Sequence, residues 1–397
     1  MGDEALDRRA VVVPEGANLR VRFVVIPGRP YKKREFGGLV PIRGKSRERP
    51  YRGDEVKTAM GGICEWRYSG VLVLLLGSLP FMGCQAVREY RTTRCVDRGT
   101  RYLAEADYDA ALAEFRQALE INPRLAYAHS KVGAIYRQNG DYEAAAEHFA
   151  NAVKYDPFSF EDAMSLGQVS HLLSRLADAV RAYLHACDLE PNSFESHLNL
   201  GVCYHQQGSL EQAEIYYKKA IDIQPDNAFA WSNLGAVYDM QGKFYEAIKC
   251  YKSSLEFDSN QPMVLVNLGT TYLKQERLDI AQATFRAALE LDPYLAVAHE
   301  RVAYCMFRMD QYEQSQTQYE KAIGFDEKLA SAHAGLGVTL MARYLTDKEN
   351  IGLRKRAVEC WHRSLEIDPA QPRIRKLIDK YRLRSMNPEE ILLGQQE

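Results

Sequence analysis

The histidines are the residues whose type and spacing most suggest metal or acid–base chemistry. Four of them recur at multiples of one period of about 34 residues, namely His129, His197, His299 and His333. A zinc site needs two or three ligands within one or two helical turns, and these four histidines are much further apart along the chain. Trp231, which does not bind metals, stands at the same recurring position. We therefore predict that the four histidines are buried packing residues.

Two further histidines, His171 and His205, lie one such period apart and could both face a ligand. No carboxylate or nucleophile accompanies them at the spacing of a catalytic motif. The eight cysteines include no C-x-x-C pair and no cluster with histidine, which argues against a zinc site and against a disulfide framework. We expect a protein that is not an enzyme, with no cofactor, no bound metal and no small-molecule substrate.

Three asparagines share the same period and could bind a ligand without catalysing a reaction. Asn199, Asn233 and Asn267 each precede a Leu-Gly pair, and successive members are one period apart. An amide side chain has one acceptor and two donors, so a row of amides can pair with the backbone of an extended peptide whatever its sequence. The alternative is that each amide bonds to a neighbouring helix, because buried amides must find a partner in either case.

The element that must position these side chains is a helical hairpin that occurs twice between residues 194 and 261. One row of small residues contains Gly99, Gly133, Gly167, Gly201, Gly235, Gly269, Ala303 and Gly337. A second small row contains Ala111, Ala145, Ala179, Ala213, Ala247, Ala281 and Ser315. An aromatic row, four residues further on, contains Phe115, Phe149, Tyr183, Tyr217, Tyr251, Phe285 and Tyr319. Facing small residues let two helices approach closely, and the aromatic residue fills the space before the next unit.

These rows, with prolines that stop the second helix of most units, resemble the tetratricopeptide repeat. The resemblance implies an all-α fold, a right-handed superhelix of about eight helical hairpins over residues 92–371. The repeats begin at Thr92, Ala126, Phe160, Phe194, Ala228, Pro262, Ala296 and Ala330. The last repeat is eight residues longer, and we expect the surplus to be a surface loop near residues 345–353. Residues 372–384 are predicted to form a capping helix, and residues 385–397 a tail.

The resemblance also implies a concave groove lined by the first helix of each repeat. The asparagine row is similar to the asparagine ladder in the tetratricopeptide superhelix of O-linked N-acetylglucosamine transferases, which holds extended protein segments. Only the repeat half of such enzymes is matched. Helical spacing adds apolar residues to the same face, and an exposed apolar surface of this kind marks an interaction site. The predicted peptide-binding residues are Asn199, Asn233, Asn267, Leu198, Val202, Phe229 and Val266.

Residues 1–59 differ from the rest of the chain in charge and in pattern. They contain 14 Lys and Arg and 8 Asp and Glu, a net charge of +6, and show no sustained helical period. The segment at 43–53, RGKSRERPYRG, could be a basic arm for nucleic acid or anionic lipid. Because it lacks a nucleic-acid-binding motif, we expect residues 1–59 to be a solvated, disordered region or an upstream extension, and we expect no nucleic-acid partner.

Residues 60–84 have the three-part layout of a secretory signal. A start-like Met60 and a region containing Arg67 precede an apolar run from Val71 to Met82, which ends in Gly83-Cys84. A small residue before a cysteine resembles the lipobox of bacterial lipoproteins, which implies a lipid on Cys84. A signal anchor or a buried hairpin is the alternative. Residues 85–91 are predicted to be a short linker.

The sequence therefore indicates a non-catalytic scaffold that binds an extended peptide or a partner protein in its groove. The lipobox resemblance implies a tether to the membrane of a bacterial cell envelope through Cys84. Two alternatives remain open. One is a soluble cytoplasmic adapter, and the other is a substrate-recruiting subunit for a separate glycosyltransferase.

Overall fold

The computed structural model describes residues 79–381, and this part of the chain is helical throughout, with no strand. The first helices of the hairpins are α1 (Leu79–Ala104), α3 (Ala126–Asn139), α5 (Phe160–Leu172), α7 (Phe194–Gln206), α9 (Ala228–Met240), α11 (Pro262–Lys274), α13 (Ala296–Arg308) and α15 (Ala330–Thr346). The second helices are α2 (Tyr108–Ile121), α4 (Tyr142–Tyr155), α6 (Leu176–Leu189), α8 (Leu210–Ile223), α10 (Phe244–Phe257), α12 (Leu278–Leu291), α14 (Tyr312–Phe325) and α16 (Ile351–Ile367). A last helix, α17 (Pro372–Tyr381), follows them.

Each odd-numbered helix up to α15 packs against the next helix in the chain, which gives eight hairpins, named unit 1 to unit 8 in chain order. Each second helix then packs against the first helix of the following unit. From α7 to α15 the first helices also contact one another, whereas successive second helices are further apart. The first helices therefore line the inner face of the array and the second helices form its outer face. The predicted all-α superhelix of stacked hairpins is confirmed.

Close approach within a hairpin depends on a glycine that faces an aromatic ring. A Cβ atom added at Gly201 would lie 2.7 Å from the ring of Tyr217, and one added at Gly235 would lie 2.9 Å from the ring of Tyr251. Both tyrosines are fully buried, as is Ala213 in the facing small row. Any side chain larger than hydrogen would force α7 away from α8, or α9 away from α10.

Six of the eight second helices end at an Asp or Asn whose side chain accepts a hydrogen bond from a backbone N–H two residues later, and the other two, α6 and α8, end at Glu190 and Gln224. Asp292, followed by Pro293, accepts from the N–H of Tyr294 at 3.0 Å. Asp258 accepts from the N–H of Asn260 at 2.9 Å, although Ser259 replaces the proline. The helix therefore ends at the same place with or without the proline, because the side chain of the Asx turn replaces the next helical bond.

Unit 8 contains seven of its eight surplus residues as helix and one in the turn between α15 and α16, so the prediction that the surplus near 345–353 is a surface loop is wrong. Helices α15 and α16 have 17 residues each, compared with 13 and 14 in α13 and α14. Each helix gains about one turn of 3.6 residues, which returns the flanking side chains to the same face. Ala357 and Trp361 consequently keep their buried positions.

The two ends of the described chain are helical. Residues 85–91, which the sequence analysis assigns to a linker, belong to α1, since this segment has neither glycine nor proline to interrupt the helix. At the other end, Ile374 and Ile378 of α17 are buried against unit 8. Residues 1–59, most of the signal-like segment 60–84, the last three residues of the predicted cap and the tail 385–397 lie outside the described residues. None of the helices between residues 79 and 381 has the length and apolar character that a bilayer span requires.

Candidate peptide-binding groove

The three predicted asparagines lie on consecutive first helices of the inner face. Asn199 is on α7, Asn233 on α9 and Asn267 on α11, and each is half-buried. Seven residues along a helix return to the same face, and the side chain seven residues after Asn233, that of Met240, is 50% exposed. Within residues 79–381, no protein group forms a hydrogen bond with any of the three side-chain amides. The three amides therefore have their hydrogen-bonding groups unpaired within the described residues.

The predicted apolar groove residues differ in how much surface they expose. Phe229 is 41% exposed, and Leu198 and Val202 are half-buried. Val266 is only 3% exposed because it packs into the core that joins units 4 to 7. Three of the four residues therefore present apolar surface on the first helices, whereas the prediction that Val266 lines the groove is wrong, because its side chain is part of the core.

A row of polar contacts between successive first helices was not predicted from the sequence. Arg137 donates to Gln168 Oε1 at 3.0 Å, which joins α3 to α5. Lys274 Nζ lies 2.5 Å from Asp239 Oδ2, and Thr271 donates to Asp239 Oδ1 at 2.9 Å, which joins α9 to α11. Arg137 and Lys274 are separated in sequence from their partners by 31 and 35 residues, which is close to one repeat period. Residues of complementary type at this separation are the sequence signal that could have identified the contacts.

His171 and His205, which the sequence analysis expects to face a ligand, both contact the next unit, and for His205 the expectation is wrong because its side chain is buried. His171 Nε2 lies 2.8 Å from Gln206 Oε1, and His205 Nε2 lies 3.1 Å from Met240 Sδ. His205 is only 3% exposed, and burial lowers its pKa to about 4, so the imidazole is neutral near pH 7. These contacts fix the spacing between units 3, 4 and 5.

The four recurring histidines are buried, as predicted for packing residues. Each also bonds through Nε2 to the backbone carbonyl six residues earlier. The distances are 3.1 Å from His129 to Pro123, 2.9 Å from His197 to Pro191, 3.1 Å from His299 to Pro293 and 3.1 Å from His333 to Glu327. Trp231 donates to Pro225 in the same way at 2.8 Å. The recurring ring therefore satisfies a carbonyl that the end of the preceding helix leaves unpaired.

The cysteines of the described chain are packed into the helices. Cys203 and Cys305 are fully buried, and burial raises the pKa of each thiol to about 12, as it does for Cys250. A thiol with such a pKa is a poor nucleophile at neutral pH. Between residues 79 and 381, no group of three or more His, Cys, Asp or Glu side chains is arranged to hold a metal ion.

Comparison with known families supports the repeat assignment. A family model described as the Cilia and flagella-associated protein 70 C-terminal domain matches residues 111–336, more than half of the chain. A tetratricopeptide repeat model matches residues 95–125. No curated protein sequence matches the chain.

Several solved structures are similar to the chain. In the APC/C hetero-tetramer Cut9-Hcn1, the similarity has a TM-score of 0.50 at 17% identity and covers 70% of this chain and 53% of that one, which shows the fold alone. The MamA protein is 26% identical with a TM-score of 0.41, over 43% of this chain and 93% of that chain. YrrB, titled a TPR protein with an unusual peptide-binding site, is 23% identical with a TM-score of 0.40, over 51% of this chain and all of that chain.

Proposed function

Because the chain belongs to the family of the Cilia and flagella-associated protein 70 C-terminal domain, a tetratricopeptide repeat family, we propose that its inner groove captures an extended segment of a partner protein. Repeats of this fold are generally non-catalytic scaffolds for protein–protein interaction. The observation that carries the proposal is that Asn199, Asn233 and Asn267 have no hydrogen-bond partner in the described chain. A half-buried amide gains most from a ligand that supplies both a donor and an acceptor.

The spacing of the asparagines suits an extended backbone. Packed helices lie about 8–10 Å apart, and an extended chain advances about 3.3 Å per residue. Successive asparagines would thus meet roughly every third residue of the bound segment. Because they contact the backbone of the segment, they would hold it without reading its sequence.

Selectivity would come from the apolar side chains that flank the middle asparagine. Phe229 and Met240 stand on α9 with Asn233, and they are 41% and 50% exposed. Large exposed side chains in a groove favour partners with apolar anchors. The ion pair between Asp239 and Lys274 keeps α9 and α11 at a fixed separation, so the groove is formed before the partner arrives.

The description of the matched family suggests a class of partner. That description associates its member with cilia and flagella, and we accordingly place the partner among the proteins of such an assembly. A tether through Cys84 and a location in a cell envelope remain predictions. Mass spectrometry tests the tether, because a mature N-terminus at lipid-modified Cys84, lost in Cys84→Ser, would support it and an intact Met1 or Met60 terminus would exclude it.

The groove is tested with an array of extended peptides of about twelve residues, which corresponds to about four asparagine intervals. The triple variant Asn199→Ala, Asn233→Ala, Asn267→Ala is expected to lose at least tenfold in affinity for the peptides that the native chain binds, with unchanged helicity. Asn192→Ala, at an exposed residue of the turn before α7, is the matched control and is expected to bind normally. Equal binding by the triple variant and the native chain would exclude the asparagine row as a peptide grip.

A further inference from the structure

The outer face has a cleft between unit 2 and unit 3 that the groove function does not use. It lies between α4 and α6, above α5, and has a volume of about 870 Å³. Sites for small ligands and side-chain anchors in proteins have volumes of about 300–1,000 Å³. The cleft is on the side of the array opposite the asparagine row, since second helices form its walls.

Units 2 and 4 each have a cluster of three rings at the repeat positions that line this cleft in unit 3. In unit 2, the ring centroid of His148 lies 5.2 Å from that of His129 and 5.6 Å from that of Tyr136. In unit 4, the ring centroid of Tyr216 lies 6.0 Å from that of His197 and 5.4 Å from that of Tyr204. Each cluster fills the space between the first and second helices of its unit.

Unit 3 has small residues at all three corresponding positions. Ala163, Ser170 and Ala182 stand one period after the three ring residues of unit 2 and one period before those of unit 4, and all three line the cleft. His185, from the next turn of α6, bonds to the carbonyl of Pro157 at 2.7 Å, as the missing ring of residue 163 would. The backbone is therefore satisfied without the rings, and a space shaped for aromatic side chains remains.

Ser170 supplies a polar group that points to the chemistry of an occupant. The residue is 2% exposed, lines the cleft and has no hydrogen-bond partner for its hydroxyl among residues 79–381. The oxygen is not among the fully enclosed unsatisfied atoms of the described chain, so it is reachable from the cleft, where an occupant with its own hydroxyl group can bond to it. A phenol ring meets both requirements, because it fills an aromatic space and donates to the Ser170 oxygen.

The rim of the cleft adds a preference for positive charge. Arg175 and Glu143 pair across it at 2.6 Å, and Arg181 pairs with Asp178. Glu147 also lines the cleft, and it forms no ion pair with a Lys or Arg of the described chain. A cation beside the bound ring would neutralise this carboxylate.

We propose that the cleft between α4 and α6 binds a tyrosine side chain of a partner protein whose neighbouring residue is Lys or Arg. The tyrosine ring would occupy the space that Tyr136 and Tyr204 fill in the adjacent units, with its hydroxyl on Ser170 and the cation on Glu147. This second docking point does not depend on the inner groove. One partner could therefore be held at the inner face and another at the outer face of the same units.

The probe for this site is tyramine, a phenol ring that carries an ammonium group, titrated into the full-length protein and followed by saturation-transfer NMR. A ligand of about ten heavy atoms is expected to bind with a dissociation constant of about 1–10 mM. Phenethylamine, which lacks the hydroxyl, should bind several-fold more weakly, and Ser170→Ala should abolish that difference. Glu147→Gln should remove the preference for tyramine over 3-(4-hydroxyphenyl)propanoate, whose carboxylate replaces the ammonium group.

A variant with the ring set of unit 4, Ala163→His, Ser170→Tyr, Ala182→Tyr, should lose tyramine binding while its melting temperature stays at or above the native value. Asn233→Ala should bind tyramine normally, so that failure here is distinguishable from failure of the groove. Absence of saturation transfer at about 20 mM, or unchanged binding by the filled variant, would overturn the proposal. If sedimentation showed that filling the cleft dissociates a dimer, the occupant would be a second copy and the proposed partner would be wrong.

Discussion

Lys274 and Asp239 form an ion pair between two first helices, with Nζ 2.5 Å from Oδ2 and with the aspartate side chain only 5% exposed. Thr271 donates to the other carboxylate oxygen at 2.9 Å. The carboxylate is thus paired on both oxygens inside the wall of the groove. The next residue along α9 is Met240, which is 50% exposed, so the ion pair holds the helix that carries this side chain.

Lys274→Ala should therefore loosen the contact between α9 and α11. A buried carboxylate that loses its cation costs several kcal/mol, and we expect about 1–3 kcal/mol here because the lysine side chain is 30% exposed. Hydrogen exchange of the α9 and α11 amides measures the free energy of local opening. The double variant Asp239→Ala, Lys274→Ala should cost less than the two single variants added together, and strict additivity would show that the pair is not coupled.

Gly201→Ala tests the close approach of the two helices within a hairpin. Alanine stabilises a helix by about 1 kcal/mol relative to glycine. Its Cβ would lie 2.7 Å from the Tyr217 ring, however, so we expect a net loss of about 1–3 kcal/mol in the free energy of unfolding. Gly324→Ala is the matched control, because a Cβ at that position meets no atom within 4 Å. Thermal unfolding should show a lower midpoint for the first variant and an equal or higher midpoint for the second. A rise for both would mean that α7 and α8 can separate without cost.

The buried imidazole of His205 should make unit 4 sensitive to acid. Burial lowers its pKa to about 4, whereas an unfolded histidine titrates near 6.5. Its contribution to stability is therefore complete above about pH 6.5 and is lost as the pH falls toward 4, with a loss of about 2 kcal/mol by pH 5. Hydrogen exchange of the α7 amides at pH 6.5 and at pH 5, measured in the native chain and in His205→Leu, isolates the contribution of this imidazole to stability. His362→Gln, at an exposed position, should keep the native pH dependence.

Asp258 and Asp292 offer a matched test of how the second helices end. Both accept a hydrogen bond from the N–H two residues later, but only Asp292 is followed by a proline. Asp258→Ala should cost about 0.5–2 kcal/mol, whereas Asp292→Ala should cost less because Pro293 still prevents the helix from continuing. Melting temperatures of the two variants provide the comparison. Equal losses would indicate that proline does not contribute to the stop.

The fold could be predicted because a single period repeats the same packing problem. Every unit needs a small residue opposite an aromatic ring, so residues such as Gly201 and Tyr217 are fixed by local geometry. The turn chemistry at Asp258 and the longer helices of unit 8 were missed. A surface loop and a longer pair of helices leave the recurring packing positions of unit 8 at the same places in the sequence. The same is true of a helix that ends at an Asx turn and one that ends at a proline, so only the hydrogen bonds distinguish the alternatives.

The candidate sites could be predicted only in part. The asparagine row is visible in the sequence, since Asn199, Asn233 and Asn267 repeat at one position. Pairs such as Asp239 with Lys274 have complementary charges at an offset close to one period, but whether the two side chains meet depends on the angle between units, which a sequence period does not contain. The cleft at Ser170 exists because unit 3 lacks the rings that units 2 and 4 have at the same repeat positions. It becomes visible only when the repeats are aligned and each unit is compared with its neighbours.

Helix α1 is longer than the other first helices and extends beyond the packed hairpins at its N-terminal end. It has 26 residues, whereas α5 and most later first helices have 13, and at 1.5 Å per residue the additional helix is about 20 Å long. Residues 85–91 lie in this extension, and their side chains are exposed. The extension therefore separates the start of α1 from the part of this helix that packs against α2 by about 20 Å.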